Sequence, residues 1–82
     1  MVIINCDSDF KESFKKIKAN FLKEKIIKQI EKIKENPKIG KPMRYARKGT
    51  REVYVKPFRL SYAYIPHKNK IILLDLYHKK KQ

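Results

Sequence analysis

Residues 36–79 read NPKIGKPMRYARKGTREVYVKPFRLSYAYIPHKNKIILLDLYHK and contain both glycines and all four prolines of the chain. Between those breakers lie three runs rich in Val, Ile, Leu, Tyr and Phe: 51–56, 58–65 and 70–77. Each has the length of a strand and is bounded by Gly, Pro or Asn, the residues that set turns. Links this short join antiparallel neighbours, because a parallel crossover needs a dozen or more residues. The three runs are therefore expected to form one continuous meander.

Alternation sorts the side chains of that meander by face. Val53 and Val55, then Leu60, Tyr62 and Tyr64, then Ile72, Leu74 and Leu76 make an apolar face. The opposite face collects Glu52, Tyr54 and Lys56, then Arg59, Ser61 and Ala63, then Ile71, Leu73, Asp75 and Tyr77. Lys79 falls on it too, so this face is polar, aromatic and cationic at once.

Everything before Asn36 reads as cover for the apolar face. Val2 to Asn5 opens a first strand over 1–6, expected antiparallel beside the second or the last strand. Asp7 or Ser8 is placed to cap a helix over 8–18, on which Phe10, Phe14 and Ile17 recur at helical spacing. Asn20 marks a second cap or turn. Leu22, Ile26, Ile30 and Ile33 form the stripe of a helix over 20–36, widened by Ile27, and Pro37 stops it. The fold class is α+β, in the order β-α-α-β-β-β: a helical hairpin on one face of a mainly antiparallel four-stranded sheet, in a single domain over 1–82.

Charge bounds the partners. Twenty-two Lys and Arg face eight Asp and Glu, a formal charge of +14 in 82 residues. Such a field attracts nucleic acid or an acidic protein, and either relieves the self-repulsion. Lysine enrichment as a general surface habit is the plainer source of the same composition. One cysteine, Cys6, forms no internal disulfide and points to a reducing compartment. No apolar run approaches the roughly 18 residues of a membrane span, and MVIINCDSDF lacks the pattern of a signal peptide. A cytoplasmic protein without a membrane partner is expected. His67 and His78 stand apart from any Cys or carboxylate cluster, so no metal and no cofactor is expected.

The order strand, helical hairpin, three antiparallel strands resembles the RelE/ParE superfamily of small toxins from toxin–antitoxin pairs. Asn36-Pro37 with Gly40 and Pro42 carry the resemblance after the second helix, and Gly49 carries it before the second strand. Phe58-Arg59-Leu60-Ser61-Tyr62 is similar to the superfamily's aromatic-Arg-aliphatic-x-Tyr strand. Leu76-Tyr77-His78-Lys79 is similar to its closing strand, which ends in a basic cluster.

That resemblance implies a ribosome-dependent mRNA endoribonuclease that inhibits translation and is held in check by an acidic RelB-like antitoxin. The implied chemistry is attack of a ribose 2′-OH on the adjacent phosphate. It requires positive charge for the phosphorane, a group that takes the proton and a donor for the leaving oxygen. The residues carried over are Arg59 as phosphate clamp and Lys79 as a second cation, with Tyr77 or His78 in the place of a closing tyrosine. RNA contacts fall to Lys56, Tyr54, the tail residues Lys80 and Lys81, and the basic loop of Arg44, Arg47, Lys48 and Arg51, which is equally suited to an acidic antitoxin. The superfamily's two second-strand lysines are replaced by Glu52 and Tyr54.

Each assignment has a plainer counterpart. Arg59 is equally suited to pair with Asp75 or Glu52, Glu52 to be a salt-bridge partner, and His78 to be a solvated histidine. Tyr54 and Tyr77 suit strand packing as well as base stacking. The sequence therefore leaves three classes: an mRNA-cleaving toxin, a ParE-like gyrase inhibitor without nuclease chemistry, and an inert RNA- or antitoxin-binding relative.

Overall fold

The computed structural model of the chain describes residues 2–42 and 49–78. In chain order they form β1 (Ile3–Cys6), α1 (Ser8–Lys16), α2 (Asn20–Glu35), β2 (Lys41–Pro42), β3 (Thr50–Val55), β4 (Phe58–Ile65), a 3-10 turn (Pro66–Lys68) and β5 (Lys70–His78). One five-stranded sheet results, in the order β1-β5-β4-β3-β2. The meander β3-β4-β5 is antiparallel throughout. The α+β layout is the one the sequence pattern implies, with one strand more: β2 pairs Lys41 with Glu52 and Pro42 with Arg51 at the sheet edge.

The direction of β1 differs from the expectation. It lies beside β5 but parallel to it, with Ile4 opposite Ile71 and Cys6 opposite Leu73. Alternation puts Ile4 and Cys6 on the same face whichever way the strand runs, so the pattern is silent on direction. Long-range pairing decides it: the Ile3 amide donates to Asn69 O at 2.9 Å and the Asp7 amide to Leu73 O at 2.8 Å. Everything from α1 through β4 lies between these two strands, far more chain than the dozen or so residues a parallel pairing needs.

Neither helix start carries a side-chain cap. Asp7 occupies the first cap position and Ala19, not Asn20, the second, both without a side-chain bond. Burial holds the helices instead. Phe10 and Ile17 from the α1 region, and Ile26 and Ile33 from α2, meet Val53, Val55, Leu60, Tyr62, Ile71, Leu73 and Leu76 in one core. Full burial of each such aliphatic side chain is worth about 1.5–3 kcal/mol. Phe14 stacks on Phe10 with ring centroids 5.8 Å apart. Ile27 does not widen the buried stripe; it is 49% exposed.

The last strand corrects the face assignment. Ser61 lies opposite Asp75 and Tyr62 opposite Leu73, so Leu74 is an extra residue in β5. A bulge of one residue inverts the parity of everything on one side of it. Ile71 and Leu73 are therefore core residues, while Ile72 and Leu74 are not. Beyond the bulge the expected order returns, with Leu76 buried and Asp75 and Tyr77 on the opposite face.

Candidate functional site

The helices cover one face of the sheet, and the other carries two cross-strand rows. Tyr54, Arg59 and Tyr77 are opposite one another on β3, β4 and β5, and Glu52, Ser61 and Asp75 form the next row. The edge strand adds Lys41 beside Glu52. Strand alternation thus brings an arginine, a carboxylate and a tyrosine from three strands to one spot.

Their contacts are specific. Arg59 Nη1 donates to Glu52 Oε1 at 2.8 Å, an ion pair whose side chains are 30% and 18% exposed. The Tyr77 hydroxyl donates to Glu52 Oε2. Glu52 thus has one oxygen on a guanidinium and the other on a phenol. Arg59 Nε is buried without a partner among the described residues. A part-buried pair of this kind is screened by water less than a surface pair, and it keeps both groups within reach of a ligand. Asp75, the other acid of this face, accepts from the Leu76 amide at 2.7 Å and has no ion pair with Arg59 among the described residues. A cleft of about 460 Å³ opens beside the cluster, lined by Lys41, Glu52, Tyr54 and Arg59 together with Gln29 and Ile39.

Other residues singled out from the sequence lie elsewhere. Arg51 is turned to the helix side, where Nη1 donates to Gly40 O at 2.8 Å and Lys38 O at 3.2 Å. His78 is also on that side, edge-on to Phe58 with ring centroids 5.8 Å apart. Lys56 sits exposed in the turn after β3, its carbonyl accepting from Lys25 Nζ at 3.2 Å. Tyr54 is on the open face and 52% exposed. Lys79, Lys80 and Lys81, and Arg44, Arg47 and Lys48, fall outside the described residues.

A second polar knot escaped the sequence pattern. The Tyr62 hydroxyl donates to Pro37 O at 2.8 Å and accepts from the Gly40 amide at 3.0 Å. Its phenol is pushed above the usual tyrosine range by burial, offset in part by the Gly40 amide and the charge of Arg51. Gly40 is required there: a Cβ would stand 2.8 Å from Tyr62 Oη and 3.0 Å from Glu52 O. The signal was present in the Pro37-to-Pro42 segment, but its partner lies on β4. Among the described residues no group of three His, Cys, Asp or Glu is placed to hold a metal. No helix among them is long and apolar enough to cross a membrane.

A layout of helical hairpin and open, charged sheet face defines a RelE-like fold. The chain is similar to the isolated Escherichia coli RelE toxin, with a TM-score of 0.82 at 14% identity over 100% of this chain and 88% of that one. It is similar to a chain of the RelBE2 toxin–antitoxin complex of Mycobacterium tuberculosis, at 0.81 and 18% over 95% and 98%. A conserved hypothetical protein of Helicobacter pylori matches at 0.66 and 23% over 98% and 97%. No curated protein matches the sequence significantly. The model of the family "ParE toxin of type II toxin-antitoxin system, parDE" matches residues 5–82, and the chain belongs to that family. It is a toxin of a type II toxin–antitoxin system.

Proposed function

We propose that this toxin is an endoribonuclease that cuts mRNA on the ribosome and pairs with an acidic, RelB-like antitoxin in the cytoplasm. The observation that carries the reading is the convergence of Arg59, Glu52 and Tyr77 on the sheet face that the helices leave uncovered. The three groups match the three needs of the reaction. Glu52 takes the proton of the ribose 2′-OH, whose oxygen then forms a bond to the adjacent phosphorus. Arg59 faces the charge that accumulates on the phosphorane oxygens, where a preorganised cation is most effective. The bond from phosphorus to the 5′-oxygen breaks, and Tyr77 supplies the proton that leaves with it. The products are a 2′,3′-cyclic phosphate and a 5′-hydroxyl, and charge balance is kept without a metal or cofactor. RNA phosphate competes with Glu52 for Arg59 as it binds.

Glu52→Gln tests this directly. The amide keeps the shape and loses the base, so cleavage of translated mRNA, followed by primer extension, should fall by about 10²–10⁴. A variant that cuts as fast as the wild type, or faster, ends the role of Glu52.

A second reading has its own observation. Arg59 and Tyr77 are both already bonded to Glu52, which neutralises the clamp, and the family is that of ParE toxins. A gyrase inhibitor that acts by binding alone follows from that. Loss of supercoiling activity in a gyrase assay, with translated mRNA left intact, would select it.

A further inference from the structure

We infer that a single RNA strand leaves the Arg59 site over Tyr54, rounds the β3 edge of the sheet and lies along a lysine-lined groove between β3 and α2. The inference rests on the RNA reading of the open face and extends it to a second binding surface.

The groove has a volume of about 240 Å³ and is lined by Lys25, Lys28, Lys32 and Lys56 with Gln29 and Tyr54, and by no carboxylate. Lys25, Lys28 and Lys32 follow one another at three and four residues, so they share one side of α2. Among the described residues none of them pairs with an acid, whereas Lys34 on the same helix meets Glu31 at 3.7 Å. The bond from Lys25 Nζ to the Lys56 carbonyl closes one end and fixes α2 against the β3–β4 turn.

Continuity ties this groove to the site. Gln29 and Tyr54 line both the groove and the larger cleft that holds Glu52 and Arg59. A chain bound at Arg59 therefore has an unbroken path to the lysine row. Among the described residues the edge is open for it, because β2 pairs only with Glu52 and Arg51 and no described strand covers Val53 to Val55. At the turning point stands Tyr54, an aromatic ring 52% exposed. A cationic groove that follows the backbone, with an aromatic platform for a base, is the arrangement that binds single strands without reading their sequence. An acidic peptide matches the lysines but gives no reason for the aromatic ring at the bend or for the path to a phosphate clamp.

The test compares two variants of equal net charge. One is Lys25→Gln/Lys28→Gln/Lys32→Gln; the other is Lys11→Gln/Lys15→Gln/Lys18→Gln, which removes three exposed lysines of the α1 region. Binding of a short 2′-O-methylated oligonucleotide, which lacks the attacking hydroxyl, is followed by anisotropy across a salt series. For every phosphate that the protein ceases to neutralise, the slope of log K against log salt becomes shallower by about 0.7. The α2 variant should therefore lose roughly 2 in slope while the α1 variant keeps the wild-type slope. Tyr54→Ala should weaken binding roughly tenfold. Equal slopes and affinities for the two triple variants overturn the groove. So does an α2 variant that binds the oligonucleotide normally but no longer holds the antitoxin. The probe resists cleavage, so the outcomes separate: a wild type that cuts no mRNA while its binding still depends on the α2 lysines ends the nuclease reading and leaves the groove standing.

Discussion

Arg59 and Tyr62 stand on the same strand, three residues apart, and point to opposite faces of the sheet. Each gathers polar partners from segments distant in sequence, and the two knots differ in what they leave over. Tyr62 is fully buried and neutral, and its hydroxyl is matched as donor and as acceptor by Pro37 and Gly40. Such a network holds its loop and has no capacity for a ligand. Arg59 is partly exposed, charged, paired to a carboxylate that also receives Tyr77, and carries a buried Nε without a partner among the described residues. One strand thus carries architecture on the covered side and chemistry on the open side.

The largest expected effect breaks the open knot alone. Arg59→Ala should lower the rate of mRNA cleavage by roughly a hundredfold or more, about 2–4 kcal/mol, because the cation acts on charge that appears in the transition state. Its melting temperature should fall by less than that of a variant of the covered knot, since the pair is only part-buried and water reaches the Glu52 carboxylate once the guanidinium is gone. A folded Arg59→Ala protein that cuts at the wild-type rate, or one that melts far lower, would make Arg59 a structural residue.

Breaking the covered knot should do the reverse. Tyr62→Phe removes the donor to Pro37 O and leaves the Gly40 amide without its acceptor, a loss of about 1–3 kcal/mol in stability. Gly40→Ala should cost a similar amount, about 1–3 kcal/mol, through overpacking against Tyr62. For a domain of this size each kcal/mol lowers the melting temperature by roughly 4–8 °C. Below that melting range, folded Tyr62→Phe should cut RNA at the wild-type rate; a loss of turnover matching that of Arg59→Ala would show that the knots are one unit.

The smallest effect sharpens the contrast by pH. Burial raises the Tyr62 phenol above its ordinary 10.0, ahead of the opposing pull of the Gly40 amide and Arg51. The unfolded chain therefore ionises this group first as pH rises. The stability tied to its neutral form is whole below the unfolded value and is lost as pH climbs through the folded one. Tyr62→Phe should show a shallower alkaline decline in denaturant midpoint than the wild type, and an identical decline would remove Tyr62 as its source.

Much of this molecule is legible in local pattern. Phe10, Ile17, Ile26 and Ile33 announce two helices, and the Gly and Pro positions between 36 and 66 cut the remainder into three strands close to their observed limits. Alternation alone places Glu52, Tyr54, Arg59 and Tyr77 on one face. The basic groove is half visible: the lysines of α2 are evident in the sequence, but not that three of them overlook Tyr54.

These successes share a cause, since helical period, strand alternation and chain breakers are set within a few residues of each other. Tertiary structure alone decided the rest. The parallel direction of β1 comes from its hydrogen bonds to Asn69 and Leu73, and strand alternation is the same for both directions. The bulge at Leu74 shows only against β4, because an extra residue has no meaning in a single strand. Sequence offered Arg59 two acids, Glu52 and Asp75. The choice of Glu52 depends on how neighbouring strands align, and that alignment is fixed by burial of Val53, Leu60 and Leu76 on the far side of the sheet.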